Sequence, residues 1–255
     1  MAREWLYGRQ AVLASLRARR RHCFTLLIAQ GISERGIIAE ILKEAHARRG
    51  CLVRRVPRAE LAHLVAHEGH QGVALEVSRY PYLDEGELYR RVEEAGRDAL
   101  VLLLDHLQDP QNVGNLLRTA EIAGVTAAVI PRRRAAGITP AVVNASAGAV
   151  EYLAVAHVPN LARTIEGLQE RGLWIYALEG TADAPAYWEV DLTGAVGIVV
   201  GSEGKGLSRL VRERSDGFLR IPMWGQTPSL NAAVAGALAL YEARRQRTIG
   251  HAHAL

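Results

Sequence analysis

Three short polar segments carry the side chains best suited to chemistry. The first runs Asp109-Pro110-Gln111-Asn112-Val113-Gly114-Asn115-Leu116-Leu117-Arg118 and places an amide and a guanidinium six residues apart. It follows an apolar run and opens a helix, so Asn112 is suited to cap that helix and Arg118 to project near the strand-end crevice. The second is Gly201-Ser202-Glu203-Gly204-Lys205-Gly206. Leu207 stands where a Walker loop needs Lys, and Glu203 stands where a dinucleotide loop needs its second glycine. A carboxylate there repels a pyrophosphate and suits a cationic or hydroxylated ligand. The third is Ile221-Pro222-Met223-Trp224-Gly225-Gln226-Thr227-Pro228-Ser229-Leu230-Asn231. Ser229 reads as the cap of a following helix, and Asn231 as a first-turn amide free to bond a ligand. Taken singly, the three also fit a cap, a turn and a core helix.

The elements that position these segments follow from periodicity. Apolar runs at 100–104, 125–130, 174–178 and 196–200 suit strands buried on both faces. Between them, 112–123, 139–150, 161–171 and 207–214 read as helices. This predicts an α/β domain with a mostly parallel sheet, whose ligands bind in loops beyond the carboxyl ends of the strands. The loops at 105–112, 179–185, 201–206 and 222–229 are therefore the ones to inspect. A last helix over 229–246, rich in Ala and Gly, is expected to be buried on nearly all sides and open to close approach by a second subunit.

The N-terminal part reads as a small αβα module. Helix 9–20 precedes strand 24–29. Ser33 is expected to cap a helix that ends at Gly50; strand 52–56, helix 58–67 and strand 72–77 follow. Tyr80-Pro81-Tyr82 and the acidic residues after it mark a boundary. The expected division is a small module at 1–79, a linker at 80–97 entering a helix at 87–94, a larger domain at 98–248 and a tail at 249–255.

Composition narrows the class. Charged residues make up 23% of the 255 and apolar ones 49%, ordinary for a globular protein. No run has the length of a membrane span, and the N-terminus lacks a signal-peptide pattern, so a cytoplasmic location is expected. Cys23 and Cys51 read as buried thiols. Residues 1–80 hold 14 Lys or Arg against 7 Asp or Glu, whereas the remainder holds 17 against 20. Such an excess on one module fits contact with a phosphate polymer and, about equally, a solvated helix face. Arg17, Arg19, Arg20, Arg21, Arg54 and Arg55 are the candidate RNA-binding residues. His63, His67 and His70 lie near Glu68, but Gln71 spoils a zinc motif, and a hydrated helix end is expected with no metal. His251 and His253 fall in the expected tail.

In order and spacing, Asn112-x-Gly114-x3-Arg118, Gly201-x-Glu203-Gly204, Ile221-Pro222 and Ser229-Leu230-Asn231 resemble the three signature motifs of the SpoU/TrmH ribose 2′-O-methyltransferases. The resemblance covers residues 99–247, and Tyr7-Gly8 with Ala11-Val12 is similar to the start of that family's substrate-binding domain. It implies a deep trefoil knot at the C-terminal end, a homodimer and bound S-adenosyl-L-methionine. The substrate implied is RNA, most closely a guanosine of 23S rRNA, with a tRNA guanosine, a ribosomal adenosine or a non-catalytic RNA-binding role as alternatives. Arg118, Asn112, Glu203, Ser229 and Asn231 are implied in catalysis. Gly201, Ile221, Leu230, Leu178, Glu179, Gly180, Met223 and Asn231 are implied in holding the cofactor. Ala232-Ala233 replaces the Val-Ser that usually follows this Asn, removing one hydroxyl.

Overall fold

A computed structural model describes residues 2–181, 183–204 and 206–252. Along the chain the elements are β1 (Arg3–Tyr7), α1 (Arg9–Ala18), β2 (Cys23–Ala29), α2 (Ile37–His46), β3 (Leu52–Val56), α3 (Arg58–Val65), β4 (Val73–Ser78), α4 (Glu85–Ala95), β5 (Leu100–Asp105), α5 (Pro110–Ile122), β6 (Ala127–Pro131), α6 (Pro140–Ala145), β7 (Val155–Val158), α7 (Leu161–Gln169), β8 (Trp174–Leu178), β9 (Val196–Gly201), α8 (Arg209–Arg214), β10 (Gly217–Leu219) and α9 (Ala232–Ala252). They form two compact units. One contains residues 2–81 with 138–152, and the other 82–137 with 153–252.

The first unit is built on a four-stranded sheet in the order β1-β4-β2-β3. Only β2 and β3 run parallel; β4 is antiparallel to both of its neighbours. Alternation sends Leu27 and Ala29 to the face where Leu61 of α3 packs, and Leu26 and Ile28 to the other. β1 escapes the sequence reading because Arg3 and Glu4 mask its apolar half. The second helix starts after Gly36, not at Ser33, because Gly36 takes a φ of 58° that a serine disfavours. The segment 138–152 contributes Glu151, whose carboxylate takes a bidentate bond from Arg21 at 2.7 and 2.9 Å. Tyr80 donates its hydroxyl to the Val150 carbonyl at 3.1 Å beside this pair.

The second unit is a six-stranded parallel sheet in the order β10-β8-β9-β5-β6-β7. The central strand β5 is buried along its whole length, as its unbroken apolar run requires. β7 and β10 are short strands that the apolar-run reading misses. α4 opens on a capping box between Asp84 and Glu87. In the first unit, the expected helix at 139–150 is a shorter α6, which ends before the turn at Ala147 and Gly148, both with positive φ.

α9 runs to Ala252, so the expected tail begins inside a helix, and His253 lies outside the described residues. Its C-terminal half is fastened to three loops. Arg244 donates to the Ala123 carbonyl at 2.8 and 2.6 Å, Gln246 to the Val190 carbonyl at 3.0 Å, and the buried Arg247 to the carbonyls of Leu192, Asp98, Ala99 and Gly194. The helix is not buried all round. Val234, Leu238 and Tyr241 form an exposed stripe, while Ala233, Leu240 and Ala243 face inward. Gly236 lets α9 approach α5 and β9 closely, since a Cβ there meets Leu116 at 2.7 Å and Val200 at 3.0 Å.

Candidate active site

The site grows from the carboxyl ends of β5, β8, β9 and β10, all in the second unit. α5 is capped by Asp109, whose carboxylate accepts from the backbone N–H of Gln111 at 3.2 Å and of Asn112 at 3.1 Å. Pro110 occupies the first helical position, where its missing N–H costs nothing. Asn112 is therefore not the cap. Its amide is released for other work and donates to Glu203 Oε1 at 2.9 Å.

β9 ends at Gly201, where a Cβ would lie 2.6 Å from the Gly206 backbone. Only glycine permits that approach. Ser202 and Gly206 exchange backbone hydrogen bonds at 3.0 and 2.8 Å, closing the turn that presents Glu203. Lys205, within this turn, lies outside the described residues.

The third segment reaches the same point from the other side. Asn231 Oδ1 accepts from the N–H groups of Ala233 at 2.9 Å and Val234 at 3.3 Å, so Asn231, not Ser229, caps α9. Its Nδ2 donates to Asn112 Oδ1 at 2.8 Å and to Glu203 Oε1 at 2.9 Å. Asn112, Glu203 and Asn231 thus close a triangle of hydrogen bonds that joins all three polar segments. Two amides on one carboxylate oxygen fix the orientation of Glu203.

A cavity of about 810 Å³ opens beside this triangle. Leu178, Glu179 and Gly180 wall it from the end of β8, and Gly201 and Glu203 from the end of β9. Ile221, Met223, Ser229, Leu230 and Asn231 complete the wall. Glu179 is held by Arg212 at 3.0 Å and by its own N–H bond to the Leu219 carbonyl. Every residue expected to hold the cofactor therefore borders one cavity. Its size and its mixed apolar and carboxylate lining fit a drug-sized, positively charged ligand.

Ser202, Glu203 and Gly206 are shared with a second cavity of about 460 Å³, bordered by His106, Asn112, Arg134 and Ser208. The sequence reading did not single out His106 or Arg134. Asp105, fully buried at the end of β5, accepts from the Ser208 N–H at 2.5 Å and lies 2.6 Å from His106 Nδ1. His106 adopts a φ of 60°. The signal available was its position directly after a buried strand.

Arg118 borders neither cavity. It is exposed on α5, about 120° around the helix from Asn112, and has no hydrogen bond or ion pair among the described residues.

The candidate RNA-gripping arginines divide. Arg19 and Arg54 are exposed; Arg17 and Arg55 are exposed but paired with Glu40 and Glu34. Arg20 is half-buried, donating to the Tyr80 hydroxyl at 3.0 Å and the Glu151 carbonyl at 3.3 Å. Arg21 is buried on Glu151 and Glu4, so its charge is committed internally. Of the histidine cluster, His63 and His67 are exposed at and just beyond the end of α3, as a hydrated helix end requires, whereas His70 departs from that expectation. His70 is fully buried and accepts from the Gly72 N–H at 3.0 Å; burial, then Arg58, holds its pKa below the usual histidine range. No metal-holding group of His, Cys, Asp or Glu occurs among the described residues. Cys23 is a buried free thiol, as expected, whereas Cys51 is only half-buried. Among the described residues, no helix is long and apolar enough to cross a membrane.

Comparison with known proteins agrees with this geometry. Residues 99–241 match the model of the SpoU rRNA methylase family, and residues 5–83 match the RNA 2′-O ribose methyltransferase substrate-binding domain. The chain belongs to the SpoU rRNA methylase family. It is 44% identical to the 23S rRNA (guanosine-2′-O-)-methyltransferase RlmB of Xanthomonas campestris, over 96% of this chain and 97% of that protein. It is 38% identical, over 96% of both chains, to a TrmH family tRNA/rRNA methyltransferase of Bacillus subtilis. Among solved structures, the SpoU methyltransferase AviRb of Streptomyces viridochromogenes, in complex with AdoMet, superposes with a TM-score of 0.80. The match covers 97% of this chain and 92% of that one at 24% identity, a likeness of fold.

Proposed function

We propose that this protein transfers a methyl group from S-adenosylmethionine to a ribose 2′-hydroxyl of RNA, with a guanosine of 23S rRNA as the substrate. The observation that carries the reading is the triangle of Asn112, Glu203 and Asn231 at the junction of two cavities. The larger cavity takes the cofactor and the smaller one the target nucleotide, with Glu203 in the wall between them.

Bound in the larger cavity, the cofactor supplies an electrophilic methyl on a positively charged sulfur. Glu203 and Glu179 suit that charge, and the same carboxylates disfavour a nucleoside polyphosphate. The apolar walls of Leu178, Ile221 and Leu230 suit a flat base, while Ser229 adds a hydroxyl. Asn112 and Asn231 hold the Glu203 carboxylate in place so that it need not reorganise during reaction. On the other side, Arg134 and His106 offer polar contacts to a nucleotide.

A hydroxyl attacks poorly until its proton departs or its charge is stabilised. Arg118 is the cation assigned to that task, orienting a phosphate and stabilising the developing alkoxide. Since it faces away from its own cavities, it acts in the cavity of a second copy. The exposed Val234, Leu238 and Tyr241 stripe of α9, packed beside α5, is the face proposed for that homodimer. A C-terminal trefoil knot is part of the same reading. The loop 220–231 leaves edge strand β10 and returns to the middle of the sheet, where Asn231 meets Asn112. The first unit, with Arg19 and Arg54 exposed, grips the RNA backbone.

The test is methyl transfer from labelled S-adenosylmethionine to unmodified transcripts of 23S rRNA and of tRNA, with modified riboses mapped by mass spectrometry. Incorporation at a ribosomal guanosine is expected. Incorporation into tRNA alone overturns the substrate, and none into either RNA overturns the activity.

A further inference from the structure

Beside the larger cavity, two loops are fastened edge to edge. The Arg220 N–H donates to the Pro185 carbonyl and the Tyr187 N–H to the Arg220 carbonyl, each at 2.9 Å. The Arg220 side chain adds a bond to the Ala184 carbonyl at 3.0 Å. Glu189 closes the first loop, its carboxylate accepting from the Ala186 N–H at 2.8 Å. This fixed pair presents two tryptophans from positions 36 residues apart.

Trp188 and Trp224 lie parallel, with planes 4° apart and ring centroids 6.4 Å apart. Tyr187 braces Trp188 edge-on at 4.9 Å. Trp224 is 85% exposed and Trp188 44% exposed, so indole surface is left open to solvent. The spacing falls toward the outer end of the roughly 4.5–7 Å range of aromatic pairs. Because the two planes are only 4° apart, a flat group laid on one indole lies parallel to the other. Pro222 and Met223, which directly precede Trp224, border the larger cavity, so the aromatic pair stands at its rim.

We propose that Trp224 and Trp188 form a stacking site for an unpaired base of the substrate RNA, away from the nucleotide that is methylated. The proposal rests on the RNA methyltransferase reading above. An RNA brought to this rim presents its unpaired bases as flat apolar faces, which single-strand-binding proteins stack on aromatic side chains. Every base has such a face, so the site contributes affinity and placement, and leaves the choice of nucleotide to the smaller cavity.

The test compares the full-length protein with Trp224→Ala, Trp224→Phe and Trp188→Ala, using an unmodified 23S rRNA transcript. Trp224→Ala is expected to weaken RNA binding about tenfold to a hundredfold. Trp224→Phe should recover most of that loss. S-adenosylmethionine affinity should stay at the wild-type value, and the slope of log affinity against log salt should not change, because stacking releases no counterions. RNA should quench indole emission in the wild type and less in Trp224→Ala. Equal RNA affinity and equal quenching in the two proteins overturn the stacking site while leaving the enzymatic reading in place. Loss of self-association by Trp224→Ala with RNA affinity intact also overturns it and assigns the pair to a contact between copies. A wild-type protein that neither binds nor methylates the transcript overturns the underlying activity instead.

Discussion

Asn231 binds Glu203 through its amide at 2.9 Å while its own oxygen caps the first turn of α9. One side chain therefore serves both the helix and the carboxylate. Asn231→Ala should remove both, costing about 1–3 kcal/mol of stability and most of the cofactor affinity. Asn231→Asp keeps the cap but sets a carboxylate against Glu203, which raises the pKa of the pair above the unfolded values. The folded state then holds its extra proton more tightly. This variant should gain stability relative to wild type as pH falls from 7 to 5, and lose it as pH rises. Melting curves at the two pH values decide the matter.

Arg118→Ala should lower kcat by about a hundredfold or more while leaving S-adenosylmethionine affinity unchanged, since Arg118 borders neither cavity. Mixing inactive Arg118→Ala with inactive Asn231→Ala should restore part of the activity, because a mixed dimer carries one intact combined site. No recovery in a mixture shown to contain heterodimers would place Arg118 in its own chain's reaction.

Arg21 and Arg54 belong to the same basic module but should respond differently. Arg21→Ala leaves Glu151 buried without its partner and should cost roughly 3–5 kcal/mol in denaturant unfolding. Arg54→Ala should leave stability nearly unchanged, weaken RNA binding, and lower the salt slope by about one. Titrations of RNA affinity at several salt concentrations separate the two roles.

Burial pushes the Cys23 thiol up to about 11. At pH 8 it should resist iodoacetamide, and the half-buried Cys51 should react first, which peptide mass spectrometry can follow. Because the folded pKa is raised, the associated stability is complete below the ordinary thiol range. It is lost as pH rises through about 11.

The parallel sheet was legible because strands buried on both faces must be continuously apolar, as 100–104 and 196–200 are. The polar segments were legible as sites because they sit at strand ends. Capping was not. Asp109 and Asn112, like Ser229 and Asn231, are all competent caps by residue type, and the sequence carries no signal that selects Asp109 and Asn231. The fate of Arg21 was hidden for a related reason: its partner Glu151 lies 130 residues away and carries no local signal. The tryptophan pair likewise depends on a bridge between Ala186 and Arg220 that no periodicity announces.

The double duty of Asn231 has a consequence for how the molecule opens. Fraying of the first turn of α9 takes away one of the two amides that hold Glu203, so the helix end and the site loosen together. Ligand occupancy becomes a gauge of that helix end. On warming, the pocket should empty while the sheet beneath it is still intact, and a molecule held in the pocket should in turn keep the helix wound.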